Sequence, residues 1–233
     1  MNGRRVVLSM RMVLIAAALC VSVLGSKPAA AAGTAVTFAG TVTSLSAGYA
    51  VPGIEVGDAI FGSLDYDPYV SDLQPIDWIG LYRDAITRFS AQIGDQTFSM
   101  VPLPASPRSE IVVLDNDQVA GSYHDSLYFR VAVEDAAAPE IARFLQLTFS
   151  VAAADPPAVL LSDTLPASFD PSAFAVRSGF VTDLPPDVSQ GSNFVLTEVA
   201  VTPVPEPDAW LLLLAGGALL LIRANGLARA ARS

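Results

Sequence analysis

Few side chains in this sequence are of the types that carry out covalent or acid–base chemistry, and histidine is the scarcest. His124 is the single histidine, and Asp125 beside it would point to the opposite face of a strand. A Ser–His–Asp triad would have to use that histidine, and no Gly-x-Ser-x-Gly elbow occurs. One histidine is also too few for a histidine-rich zinc site. The single cysteine, Cys20, and the single lysine, Lys27, both precede residue 33, which excludes thiol and Schiff-base catalysis beyond that point.

Carboxylates are the abundant reactive group. Residues 33–205 carry 21 Asp and Glu, so some pair will lie at a glycosidase-like separation by chance. Asp115-Asn116-Asp117 offers side-chain oxygens as a calcium loop does, but it lacks the Gly and the terminal Glu of an EF-hand, and it predicts a turn. Asp65 and Asp67 could likewise offer oxygens to calcium, but Pro68 follows them and favours a turn. We therefore predict no catalytic residue, no metal site and no cofactor.

Five aromatic side chains leave a binding function open. Stacked on one face they would form a sugar-binding platform, whereas aromatic residues of an all-β domain more often fill its core. The core is the simpler prediction, and sugar stacking is kept as an alternative. The five residues are Tyr66, Tyr69, Trp78, Tyr82 and Tyr123.

The same stretch is strongly acidic. Against its 21 Asp and Glu it has six basic residues, all arginine, which gives a net charge of about −15. Such a domain repels nucleic acid and anionic membrane surfaces, so we predict no nucleic-acid partner. Because residues 33–205 contain no cysteine, the domain must be stabilised by an ordinary core without disulfides.

Short β-strands are predicted to position these residues. From Thr34 to Thr202, apolar residues alternate with period two between clusters of Gly, Pro, Asp and Asn, and Gly94-Asp95 predicts a hairpin turn. The spacing is that of an antiparallel sandwich or barrel, and we predict an all-β, jelly-roll-like β-sandwich. Apolar spacing over Ile76–Phe89 and alanine content over Ala136–Leu145 predict two short connecting helices. The predicted strands are Val36–Val42, Ala59–Tyr66, Arg88–Ile93, Thr97–Val101, Glu110–Leu114, Ser126–Val133, Arg143–Val151, Ala158–Leu161, Phe174–Val181 and Asn193–Val201.

Residues 1–32 have the three parts of a secretory signal peptide. Arginines 4, 5 and 11 precede the apolar run Met12–Gly25, whose 14 residues are too few for an untilted membrane helix. Lys27-Pro28 breaks that run, and Ala30 and Ala32 are the small residues of a cleavage site. We predict export by the general secretion machinery and cleavage by signal peptidase near Ala32.

Residues 203–233 form a second targeting segment. Pro203–Pro207 predicts an extended, solvated spacer that cannot continue a strand. Ala209–Ile222 is an uninterrupted apolar run, with Trp210 near its outer boundary and Ile222 at its end. Its 14 residues span roughly 21 Å as a helix, which is short of a hydrocarbon core near 30 Å. Arg223, Arg229 and Arg232 follow without an acidic residue, which places the C-terminus in the cytoplasm and predicts a marginal C-terminal hydrophobic helix in the inner membrane.

This arrangement resembles the PEP-CTERM sorting domain. The matching residues are Val204, Pro205, Glu206 and Pro207, then the apolar run, then the arginines, which are more spread out here than is usual in the family. The resemblance implies an exopolysaccharide-producing Gram-negative bacterium and recognition by exosortase, a membrane transpeptidase that cleaves near the motif. Phe38–Asp67 is also similar to the start of many secreted proteins with this tail, and that similarity implies a β-sandwich.

The sequence therefore predicts a signal peptide over residues 1–32, an extracytoplasmic domain over 33–202 and a sorting or anchor segment over 203–233. The predicted function is a non-enzymatic surface protein, structural in the cell envelope or the exopolysaccharide matrix. The expected partners are signal peptidase, an exosortase-like enzyme, the inner membrane and exopolysaccharide. A carbohydrate- or calcium-binding module is the alternative, and a glycan hydrolase comes third.

Overall fold

The computed structural model describes residues 33–74, 76–101, 109–136, 138–183 and 191–204, and they form an all-β fold. The described residues contain ten antiparallel strands and a single 3₁₀ turn, Pro171–Ala173. The strands are β1 Gly33–Leu45, β2 Ala59–Tyr66, β3 Ile79–Arg83, β4 Ile86–Ile93, β5 Gln96–Met100, β6 Glu110–Val119, β7 Ser122–Asp135, β8 Ala138–Ala153, β9 Val176–Thr182 and β10 Ser192–Val204.

Eight of the strands close into an antiparallel β-barrel. The order around the barrel is β7, β5, β4, β2, β1, β10, β9 and β8, and β8 pairs with β7 to complete the circuit. One edge of β7 pairs with two strands, with β6 along residues 122–130 and with β5 along residues 133–135. β3 pairs with β6 outside the barrel circuit. The predicted jelly-roll-like β-sandwich is therefore wrong. Alternation shows that a strand has one buried face, but it does not show whether the sheet covers that face by packing on a second sheet or by curling onto itself.

Neither predicted connecting helix is present. Ile76–Phe89 contains β3 and β4, and most of Ala136–Leu145 belongs to β8. The apolar residues of Ile76–Phe89 lie at helix-like spacing because the alternation of inward- and outward-facing side chains is interrupted twice. Asp84 has a positive φ of 59° in the turn between the strands, and a register shift follows in β4 next to Arg88. The predicted C-terminal hydrophobic helix lies outside the described residues. Within the described part of the chain, no helix has the length and apolarity that a membrane crossing requires.

The predicted strands agree better with the structure than the predicted connections do. β2 has the predicted bounds, and the Gly94-Asp95 hairpin is confirmed, with Ile93 paired to Gln96 across it. The turn predicted at 115–117 is wrong, because these residues form a bulge inside β6 and the hairpin turn lies at 120–121 instead. The strand predicted at 158–161 is irregular chain. Pro203 continues β10, contrary to prediction, because β10 pairs on only one side beyond Val195 and a residue without an N–H is tolerated there.

The barrel interior is filled by apolar side chains from every strand of the circuit. The connection between β8 and β9 adds Leu160, Leu165 and Phe174 to this core. Phe149 and Phe169 pack edge-to-face with ring centroids 5.2 Å apart, and Phe129 and Phe174 extend the aromatic group. The largest fully buried side chains are Tyr66, Phe98, Phe129, Phe149 and Phe194.

Candidate functional site

The first and last described residues, which adjoin the two predicted targeting segments in the chain, lie at one end of the barrel. Val204, the first residue of the sorting motif, is the last residue of β10, and it pairs with Gly33, the first residue after the predicted signal cleavage. We call this the terminal end of the barrel. The other predicted targeting residues lie outside the described residues: Ala30, Ala32, Pro205, Glu206, Pro207, Trp210, Ile222, Arg223, Arg229 and Arg232.

The connection between β8 and β9, residues 154–175, covers the terminal end. The Thr34 hydroxyl donates to the carbonyl oxygen of Ala167 at 2.6 Å, and the Tyr66 hydroxyl donates to that of Pro166 at 2.7 Å. Burial raises the pKa of Tyr66 well above its ordinary value, so this hydroxyl remains protonated and able to donate. The first two strands of the chain thereby hold a connection that lies 100 or more residues later.

Asp125 ties the same connection to β6. Its fully buried carboxylate accepts hydrogen bonds from the backbone N–H groups of Leu160 at 2.8 Å, Val159 at 3.2 Å and Asn116 at 3.0 Å. The bond to Asn116 explains why β6 bulges there and why Asn116 adopts a positive φ of 56°. His124 lies on the opposite face of β7, as predicted, so the two residues do not form a catalytic pair. The Asp125 carboxylate acts as a structural clamp.

Further carboxylates surround this clamp. Burial raises the pKa of Asp115 above its ordinary value, and the charges of Asp125 and Asp163 raise it further. The Asn116 side-chain amide donates to Asp115 Oδ1 at 2.7 Å, and the Tyr82 hydroxyl donates to the Asp163 carbonyl oxygen at 2.9 Å. Despite this acidity, the described residues contain no group of three or more His, Cys, Asp or Glu arranged to hold a metal ion. Asp67 Oδ1 accepts from the Tyr69 N–H at 2.9 Å, which is the turn that the sequence predicts there.

Exposed apolar side chains ring the terminal end. They belong to residues 69–78, to the tip of the β6–β7 hairpin and to the 154–175 connection, and they make up six of the twelve large hydrophobic residues that are exposed in the described part of the chain. Leu161 is 89% exposed, Tyr69 65% and Trp78 44%. Between Tyr69 and the connection lies an open groove of about 480 Å³. We call the six residues the apolar rim: Tyr69, Leu73, Ile76, Trp78, Val119 and Leu161.

The aromatic residues singled out from the sequence divide between core and rim. Tyr66 and Tyr82 are buried, as the simpler prediction has it, whereas Tyr69 and Trp78 belong to the apolar rim. Tyr123, in β7, is half-buried. Sequence reasoning missed Leu161 as a rim residue because residues 158–161 were predicted to be a strand, whereas they belong to the irregular 154–175 connection.

A second surface lies on the outer wall of the barrel. Thr37, Ser63, Ser90 and Ser99 are paired in register across β1, β2, β4 and β5, so their hydroxyls form one row. Phe61, which is 49% exposed, lies in the adjacent row beside Gln92 and Thr97. Two shallow troughs of about 380 and 350 Å³ follow these rows. The charged residues that line them are Asp65 and Arg88, which pair at 3.5 Å, so this hydroxyl face is neutral within an acidic domain.

The end of the barrel opposite the terminal end is held by a buried ion pair. Arg143 donates through one nitrogen to Asp135 and through another to Asp183, each at 2.6 Å, and Arg143 and Asp135 are almost fully buried. The three residues bridge β7, β8 and the end of β9, which is a structural role. The sequence offered no signal for this pairing, because the partners are 8 and 40 residues from the arginine.

No protein-family model, no curated protein and no solved structure matches this chain.

Proposed function

We propose that this chain is an exported envelope protein whose β-barrel is delivered by the N-terminal signal and sorted through its PEP-CTERM-like tail by an exosortase-like membrane enzyme. The tail holds the protein in the inner membrane until processing releases it to the cell surface or the exopolysaccharide matrix. The barrel itself is a non-enzymatic, structural element of that envelope or matrix.

The pairing of Gly33 with Val204 carries this proposal. All ten strands that the structure describes lie between the predicted signal cleavage at Ala32 and the motif residue Pro205, so two cuts at these positions would remove none of them. The motif residues Pro205-Glu206-Pro207 follow the last residue of β10 directly in the chain. A processing enzyme would therefore act on residues that come immediately after the last strand of the barrel.

The roles of the polar side chains support a structural function. The Asp125 carboxylate is occupied by three backbone N–H groups, and Arg143 is occupied by two carboxylates. The barrel interior is packed with apolar side chains. The energetically demanding polar contacts of the described residues thus hold the strands and the 154–175 connection in place.

The test is sorting of the full chain in a bacterium that carries an exosortase-like enzyme. A Glu206→Ala, Pro207→Ala double variant should accumulate unprocessed in the inner membrane, whereas the wild-type protein should leave it. Glu198→Ala is the matched control, because it removes an exposed carboxylate from the same end of the chain without touching the motif. The proposal is wrong if the double variant and the control leave the inner membrane to the same extent.

The hydroxyl face supports a second candidate function, binding of a neutral polysaccharide. Its hydroxyl row runs across four strands at about 4.8 Å spacing. Hydroxyl and amide groups exchange hydrogen bonds with sugar hydroxyls, and Phe61 offers a ring to stack on. Affinity electrophoresis in neutral and acidic polysaccharides should show retardation by the neutral polymer only. Phe61→Ala should weaken binding about tenfold, which corresponds to about 1.4 kcal/mol. The control Val176→Ala, at a residue 48% exposed, should bind like the wild type.

A further inference from the structure

We propose that the apolar rim docks the terminal end of the barrel on the lipid–water interface of the membrane that receives the tail, with neutral head groups as its partner. This inference rests on the proposed function, because the tail is what brings the barrel to the membrane. It adds a defined contact surface and a defined orientation.

The position of the chain's exit fixes which end of the barrel faces the membrane. Thr34 pairs with Pro203 on one side and with Tyr66 on the other, so the exit lies about 10 Å, or two strand spacings, from Tyr66. Tyr69 follows three residues later. The apolar rim and the exit of the chain therefore share one end of the barrel.

The length of the spacer limits the distance between the terminal end of the barrel and the membrane. Four residues, 205–208, separate Val204 from the apolar run that begins at Ala209. A polyproline segment of four residues spans about 12 Å, at about 3.1 Å per residue. An interfacial side chain lies about 5–10 Å into the headgroup boundary, so a membrane-inserted tail leaves the apolar rim within reach of it.

The composition of the rim matches an interface. Tyr and Trp place an apolar ring beside a polar tip, and Leu161, at 89% exposure, is the most exposed large hydrophobic residue described. Apolar side chains at this density on one end are removed from water when they dock. Carboxylates stand among them: Asp67 and Asp72 are held in turns, and Asp163 lies in the connection. These charges repel anionic lipid, which is why the partner is a neutral head group.

The two tryptophans of the chain allow the two claims to be tested separately. Trp210→Phe leaves Trp78 as a reporter of the rim, and Trp78→Phe leaves Trp210 as a reporter of the tail. Each full-length variant is reconstituted in phosphatidylcholine vesicles that contain lipid brominated near the head group. We expect about twofold quenching of Trp78, because an interfacial side chain lies at that depth.

Quenching of Trp210 without quenching of Trp78 would overturn the docking inference and leave the proposed function standing. Quenching of neither would show that the tail does not insert, and both proposals would fail together. Leu161→Ser, in the Trp210→Phe background, should at least halve the quenching of Trp78. The same change at Val56, an exposed valine in the 46–58 loop at the other end of the barrel, should leave it unchanged. Equal quenching in these two variants would count against the rim as the contact surface.

Discussion

Replacing Asp125 by alanine should release the 154–175 connection from the barrel. The carboxylate is fully buried and accepts three backbone N–H groups, two from the connection and one from the β6 bulge. A hydrogen bond to a charged group contributes about 1.5–3 kcal/mol, and each buried N–H left without an acceptor costs about 1–3 kcal/mol. Because the connection lies at the surface, water will reach part of the exposed backbone. We therefore expect the free energy of unfolding to fall by about 3–5 kcal/mol.

The loss is measured by urea unfolding, followed by circular dichroism and, in the Trp210→Phe background, by the fluorescence of Trp78. Limited proteolysis should cut the variant first within residues 154–175. Asp155→Ala is the control, because that aspartate is exposed in the same connection, and its effect should stay within about 0.5 kcal/mol. An Asp125→Ala protein whose free energy of unfolding lies within about 1 kcal/mol of the wild type would refute the assignment of Asp125 as the clamp.

Three further changes test other parts of the barrel. Arg143→Met leaves two carboxylates without their guanidinium and should cost about 3–5 kcal/mol, whereas Arg88→Ala, at an exposed ion pair, should cost at most about 1 kcal/mol in the same denaturation assay. The folded-state pKa of Asp115 lies above its ordinary value, so the wild type loses stability as the pH rises through that pKa. Asp115→Asn should therefore raise the midpoint of thermal unfolding at pH 7 and leave it unchanged below about pH 3.9. An increase in this midpoint of the same size at both pH values would contradict the prediction. The β1–β10 pairing has a register shift at Gly40, and Gly40→Ala should cost about 1–3 kcal/mol because its Cβ would overlap a carbonyl oxygen of β10. A neutral effect on the free energy of unfolding would contradict this overlap.

Most of the strands were predicted from the local alternation of apolar and polar residues. β2 was predicted with its exact bounds because Ile60, Leu64 and Tyr66 face the core while Phe61, Ser63 and Asp65 face outward. Over Ile76–Phe89 the same logic failed, since the turn at Asp84 and the bulge near Arg88 shift the alternation and leave apolar residues at helical spacing. The local sequence pattern does not reveal these interruptions of the alternation, because they depend on backbone conformations fixed by distant contacts.

Closure of the barrel could not be predicted from the sequence for a related reason. It depends on the pairing of β7 with β8 and of β1 with β10, and the second joins residues 171 positions apart at Gly33 and Val204. A sandwich and a barrel place the same demand on each strand, namely one apolar face. The clamp at Asp125 was missed because its partners, Val159 and Leu160, lie 34 and 35 residues away.

We propose that the tail directs processing just outside the closed barrel. This is tested by the intact mass of the mature protein, purified from cells with and without the exosortase-like enzyme. The mature protein should begin near Gly33 in both cases. It should end near Pro207 when the enzyme is present, and it should retain Ile222 and the arginines when the enzyme is absent. A tail that stays attached in both cells would identify a permanent anchor and refute the proposed processing.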